Sequence, residues 1–180
     1  MCLLAGLIVW YHGPLPVDYI GLVATVAKQK KRKMFTVVDR CLAMLPGLDM
    51  FRRYLRVGSF SKVKIAGLLE EGELVGVAPG GARECLFDQD LSVLWNDRVG
   101  FAKVGGLTQV PVIPVYTENI RLAYKTMSTG ASVWRRLFEM TKLPLIPLYG
   151  GFPVQLATHV GDPLFVTEGE TALDFQKRIR

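Results

Sequence analysis

The sequence predicts an α/β fold: a single domain with a mostly parallel central sheet flanked by helices. Three observations predict it. Short apolar runs suited to strands alternate with segments of helical period, in the order β-α-β-α-α-β-α-β-α-β-α. The 180 residues, half of them hydrophobic, suffice for one domain with a real core. No internal repeat, low-complexity tract or linker divides them.

"LLAGLIVWY" is an almost unbroken apolar run and reads as a buried strand. After Pro16, "VDYIGLVATVAK" spaces its apolar residues for a helix, with proline at the start where a missing N–H costs little. "MFTVVD" is the second strand, and "CLAMLPGLDMFRRYL" reads as two helices broken at Pro46-Gly47. "SKVKIAGLLEEG" is a helix with Ser59 or Ser61 near its N-cap and Gly72 closing it. "ELVGVAPGG" is a strand running into a glycine turn. "RVGFAKVGGLTQ" is helical, and the strand "VPVIPVY" follows. "ASVWRRLFEMTK" is a helix, "FPVQLATHVGDPL" a late strand and turn, and "ETALDFQKRIR" an amphipathic helix.

Composition narrows the function classes. A mean hydropathy of +0.27 points towards contact with apolar surface, although a buried parallel sheet also raises it. Charged residues make up 21%, which excludes a disordered chain. The three cysteines Cys2, Cys41 and Cys85 lie far apart and match neither a disulfide framework nor zinc spacing, so no metal is expected. The apolar start is shorter than the ~20 residues of a membrane span and lacks the basic region of a signal peptide. No other stretch reaches spanning length, and no transmembrane helix is expected within the chain. Charge is uneven. From Lys28 to Lys64, eleven Lys and Arg stand against Asp39 and Asp49, a local +9 in a chain of net +6. That block suits anionic headgroups or a phosphorylated substrate, or simply a solvated helix end. No nucleic-acid reading module accompanies it.

Two constellations carry chemistry. His12 and Asp18 flank a turn made by Gly13, Pro14 and Pro16 at the end of the first strand, where open α/β sheets bind ligands. A histidine there exposes Nε2 to substrate while a carboxylate holds Nδ1–H, a general base with an orienting acid. The plainer alternative is a surface histidine with Asp18 at a helix N-terminus. The second constellation is "VAPGGARE": Gly80 and Gly81 let substrate approach the backbone, Arg83 offers a fork for phosphate or carboxylate, and Glu84 follows. It matches neither a Walker A loop nor GxGxxG. Pro111 and Pro114 read as stiffening of a strand, His159 as structural, and Trp134 with Phe138 as helical packing.

The order of these motifs resembles the glycerolipid acyltransferase superfamily, over about residues 8 to 165. "YHGPLPVDY", "PGGARECL", "RVGFAKV", "VPVIPVYTENIR" and "LYGGFPVQLATHVGDP" look closest to its transmembrane protein 68 branch, a neighbour of the type 2 diacylglycerol acyltransferases. The resemblance implies transfer of a fatty acyl chain from acyl-CoA, a substrate and not a cofactor, to a glycerolipid hydroxyl. His12 is then the base, Asp18 its orienting partner, and Gly80, Gly81, Arg83 and Glu84 bind substrate. Three departures from the superfamily pattern shape the expectation. Five residues separate His12 from Asp18 where four are usual, which resembles the branch. Gly80-Gly81-Ala82-Arg83 replaces Glu-Gly-Thr-Arg, and no arginine follows Gly58 closely. Both favour a neutral acceptor, mono- or diacylglycerol.

The resemblance further implies acyl-CoA, a glycerolipid and a membrane surface as partners, no nucleic acid, and association with the endoplasmic reticulum membrane. Relatives of that branch carry apolar segments before the first strand and a full last helix, so residues 1–180 read as one acyltransferase domain truncated at both ends. The alternative is a catalytically silent membrane- or partner-binding domain of the same fold.

Overall fold

The computed structural model describes residues 5–39, 55–81, 84, 86, 93, 95–127, 131–141, 147–151 and 153–180. The two helices expected around Pro46-Gly47, and Arg83 of the glycine-rich turn, lie outside them.

The chain begins with β1 (Gly6–Trp10), whose five residues are all buried because sheet neighbours flank it on both sides. α1 (Val17–Lys30) follows, then β2 (Met34–Val37) and β3 (Val57–Gly58). α2 (Lys62–Glu70) is capped by Ser61, whose hydroxyl accepts from the Lys64 N–H at 3.2 Å, as the sequence predicts. β4 (Leu74–Val77) leads to the glycine turn, and α3 (Gly100–Thr108) leads to β5 (Val112–Glu118). A single helical turn α4 (Ile120–Ala123), the strand β6 (Tyr124–Thr126), α5 (Ala131–Thr141), β7 (Leu148–Gly150), β8 (Ala157–Val160) and α6 (Ala172–Ile179) complete the order.

Among the described residues six strands form the main sheet, in the order β3-β2-β4-β1-β5-β8. All pairings are parallel except β5–β8, which is antiparallel and closes one edge. This is the mostly parallel sheet that the alternating pattern predicts. Side-chain alternation along β1 divides the core. Ile8 and Trp10 pack with Tyr19 and Val23 of α1 on one face. Leu7 and Val9 pack with Ile65, Leu69, Phe101 and Phe175 on the face covered by α2, α3 and α6. β1 therefore lies where crossovers depart to opposite faces, and the carboxyl end of such a strand is the ordinary place for a ligand crevice.

The expected late strand shortens to β8, and the paired strands β6 and β7 add a two-stranded sheet that the sequence does not signal. α1 runs 14 residues away from His12, about 21 Å at the helical rise, so Lys28, Lys30 and Lys31 end at the far edge of the sheet. Lys62, at the start of α2, stays at the same edge as His12. The described lysines of the basic stretch are thus divided between both ends of the domain.

Candidate active site

His12 leaves β1 two residues after Trp10 on the same face, and its imidazole stacks on the indole with centroids 4.9 Å apart. Trp10 stacks in turn on Tyr19, centroids 4.2 Å apart, and the Tyr19 hydroxyl bonds the Thr36 hydroxyl at 3.0 Å. Three rings in a row fix the plane of the imidazole.

The imidazole Nδ1 lies 2.7 Å from the Gly13 carbonyl oxygen. A carbonyl only accepts, so Nδ1 carries the hydrogen and Nε2 keeps its lone pair. Burial lowers the His12 pKa below its ordinary value. The Gly13 bond and the Asp18 charge oppose that effect, and the Arg121 charge adds to it. The ring is therefore neutral at physiological pH, as a base must be before it takes a proton.

Asp18 sits in the first turn of α1, near enough for its charge to act on His12, but Nδ1 is held by Gly13 and not by this carboxylate. Burial raises the Asp18 pKa. Hydrogen bonds from the Thr117 hydroxyl and from backbone N–H groups, together with the His12 charge, pull the other way. Among the described residues its buried Oδ1 has no hydrogen-bond partner.

The glycine turn meets this site from the neighbouring strand. Glu84 is fully buried, and its carboxylate Oε2 accepts from the His12 backbone N–H at 3.4 Å. Gly80 lies directly against it: a Cβ there would stand 2.2 Å from Glu84 Cδ and Oε2. Gly81 adopts φ +57°, a left-handed conformation that glycine takes without strain. Arg98 Nη1 donates to the carbonyls of Pro79 at 3.0 Å and Gly80 at 2.8 Å, which pins the turn. The structure thus brings His12, Asp18, Gly80 and Glu84 to one end of the sheet.

Sequence reasoning missed Trp10, Thr117 and Arg121. Arg121 Nε donates to the Tyr11 hydroxyl at 2.9 Å, and Nη2 donates to the Glu84 carbonyl at 2.8 Å, tying the ends of β1 and the glycine turn to α4. Its position just beyond "VPVIPVYTEN", at the carboxyl end of the strand beside β1, was the available signal. His159 lies in β8 with Nε2 3.0 Å from Glu118 Oε1, away from the His12 ring stack. Pro114 lies within β5 and accepts from the Gly161 N–H at 2.8 Å. Phe138 is buried on α5, as packing predicts. Among the described residues no group of three or more His, Cys, Asp or Glu is placed to hold a metal, and no helix is long and apolar enough to cross a membrane.

Curated relatives align with most of the chain. A chicken (Gallus gallus) protein named "DGAT1/2-independent enzyme synthesizing storage lipids" is 40% identical over 160 residues, covering 88% of this chain and 48% of the relative. Proteins of the same name from mouse (Mus musculus) and human (Homo sapiens) are each 35% identical, over 161 and 160 residues. The chain belongs to their family. It spans about half the length of the curated relatives it matches. No family model matches the sequence, and no solved structure does. The family is one of enzymes named for the synthesis of storage lipids, and the resemblance read from the motifs holds over most of the chain.

Proposed function

We propose that this chain carries the reacting centre of an acyl-CoA-dependent O-acyltransferase that acylates a neutral glycerolipid, mono- or diacylglycerol. The observation that carries the reading is the His12 imidazole, neutral and held at Nδ1 by the Gly13 carbonyl, with a free lone pair on Nε2 at the carboxyl end of β1. Nε2 takes the acceptor hydroxyl proton as its oxygen attacks the thioester carbonyl. The C–S bond breaks as the tetrahedral intermediate collapses, and the imidazolium returns its proton to the departing CoA thiolate. Asp18 stabilises the imidazolium through its charge, and the partly exposed Gly81, next to the buried Gly80, is the position of the turn that gives substrate close access to backbone. Acyl-CoA is a substrate in this scheme, which needs neither metal nor prosthetic group.

The names of the relatives support storage-lipid synthesis at the level of the whole enzyme. The reading extends to a membrane surface, that of the endoplasmic reticulum, as the source of the acceptor, with no role for nucleic acid. The test is CoA release from oleoyl-CoA in detergent micelles, with monoacylglycerol, diacylglycerol and lysophosphatidate offered separately. Release with a neutral acceptor, reduced roughly 10²–10⁴-fold in His12→Ala, is expected. Equal release by His12→Ala and wild type overturns the mechanism, and release with lysophosphatidate alone overturns the acceptor assignment.

A second reading rests on the exposed Lys28 and Lys30 in the last turn of α1 and Lys31 and Lys33 just beyond it. These cations suit anionic headgroups, and a catalytically silent membrane-binding domain needs nothing more. That reading predicts salt-sensitive liposome co-sedimentation without His12-dependent turnover.

A further inference from the structure

A cavity of about 180 Å³ opens between the first turns of α2 and α3. Its walls include Leu7, Ile65, Phe101 and Val104, while the exposed Lys62 and Arg98 stand at its rim. Leu7 points to the sheet face opposite Trp10 and the His12 ring stack, so the cavity opens on the other face and meets the site described above through Pro79 of the glycine turn and Arg98.

The two cations are brought together by the fold. Lys62 is the first residue of α2, and its Cε would lie 3.5 Å from a Cβ placed on Gly100, the first residue of α3. Arg98 lies two residues before Gly100, and both of its bonds to the glycine turn are made by Nη1, leaving Nε and Nη2 for a ligand. Among the described residues neither cation has a carboxylate partner. Neither α2 nor α3 has an acidic residue in its first turn. The rim is positive and the interior apolar.

We propose that this cavity binds a single-chain aliphatic anion, its tail among Leu7, Ile65, Phe101 and Val104 and its head between Lys62 and Arg98. A cavity of about 150 Å³ is enough to hold benzene, so this one accommodates the first part of an alkyl chain. The two cations supply charge-assisted donors to a carboxylate or phosphate head. The site goes beyond the acyl-transfer reading and does not depend on it. Arg98 also pins Pro79 and Gly80, so an occupied site loads the same turn that packs on Glu84 beside His12.

The full chain is titrated with octanoate, octyl phosphate, octanol and inorganic phosphate. Binding is read by thermal shift and by tryptophan emission, since Trp95 lies edge-on to the cavity residue Phe101 with centroids 5.1 Å apart. Octanoate or octyl phosphate is expected to raise the Tm and shift the emission, with octanol weaker and inorganic phosphate without effect. The tighter of the two anions identifies the head as carboxylate or phosphate. Lys62→Gln, an exposed substitution, weakens the anion about threefold, within the range of an exposed ion pair, and leaves octanol unchanged. His12→Ala binds as wild type does, because it lies on the other face. Equal affinity for octanol and the anions, unchanged binding in Lys62→Gln, or loss of binding in His12→Ala each overturns the proposal. Turnover enters none of these readouts, so failure of the acyl-transfer reading and failure of this one are told apart.

Discussion

The imidazole of His12 lies on the indole of Trp10, ring centroids 4.9 Å apart and planes inclined by 26°. His12 follows Trp10, the last residue of β1, by two and so shares its face because side chains alternate in extended chain, and Trp10 also stacks on Tyr19. The stack fixes the imidazole plane, while the Gly13 carbonyl fixes its rotation about that plane. Trp10 Nε1 is buried and has no hydrogen-bond partner among the described residues. Trp10→Phe therefore removes an unmatched donor while keeping a ring, and it is expected to stay within about 1 kcal/mol of wild type. Trp10→Ala loses both stack and volume and costs about 3–5 kcal/mol in a urea titration. If the stack positions His12, kcat falls in Trp10→Ala more than KM rises, and Trp10→Phe restores it. A KM effect alone overturns the positioning role.

Asp18 is costly to the fold at neutral pH. Burial raises its pKa above the ordinary value of 3.8, so the folded state holds the proton more tightly than the unfolded chain does. That contribution to stability is fully present below pH 3.8 and is lost as pH rises through the raised value. Asp18→Asn removes the buried charge while keeping the shape. Its Tm at pH 7.5 is expected to exceed that of wild type by about 2–4 °C, the shift that 1 kcal/mol makes in a domain of this size. The difference narrows as pH falls through the raised pKa. A variant less stable than wild type at pH 7.5 contradicts this account. Under the proposed acyl transfer, in which Asp18 acts on His12 through charge, CoA release is expected to fall in Asp18→Asn, though less than in His12→Ala.

Much of the frame is legible because residue type reports burial. "GLIVW" has no polar residue and becomes the central strand, and Ser61 before an apolar-periodic run becomes a helix cap. The pair β6–β7 is not legible, since three residues such as Tyr124-Lys125-Thr126 are too few for alternation to register. His12 and Asp18 meet at one turn because local spacing governs so short a separation. The Nδ1 partner is another matter: every residue has a carbonyl, and nothing in the letter G distinguishes the one at Gly13 that accepts. Thr117 reads as an ordinary strand threonine until β5 lies beside β1 and brings its hydroxyl to Asp18.

The lowered His12 pKa has two consequences with the same sign. Desolvation is the main cause, and it favours the neutral ring in the folded state. The unfolded chain, at the ordinary value of 6.5, binds the proton more readily, so stability falls as pH drops through 6.5 towards the folded pKa. His12→Gln lacks this titration, and the Tm of wild type relative to it is expected to fall between pH 7.5 and 5.5. With His12 as the proposed base, the acid limb of kcat/KM is expected below pH 6.5, because the lowered pKa keeps the ring unprotonated down to that pH. An acid limb above that value means either that another group is the base or that Asp18 outweighs burial.

Gly80 is the residue whose replacement tests the junction between the glycine turn and His12. It is buried, and a Cβ would approach Glu84 Cδ and Oε2 to 2.2 Å and Glu84 Cβ to 2.6 Å. Glu84 is itself fully buried, so its carboxylate cannot swing into solvent to make room. Gly80→Ala must push Glu84 aside, at a cost of about 1–3 kcal/mol, and the displaced carboxylate leaves the His12 N–H. Gly81→Ala tests backbone conformation instead. Its Cβ would meet only Arg98 Nη1 at 3.2 Å, but the φ of +57° makes the substitution strained. Both variants lose stability, and Gly80→Ala loses more CoA release at equal residual folding. In a Glu84→Ala background the atoms at 2.2 Å are gone, so adding Gly80→Ala costs less than it does in wild type. Additive urea midpoints for the two substitutions would show that the contact does not couple them and that the turn reaches His12 by another route.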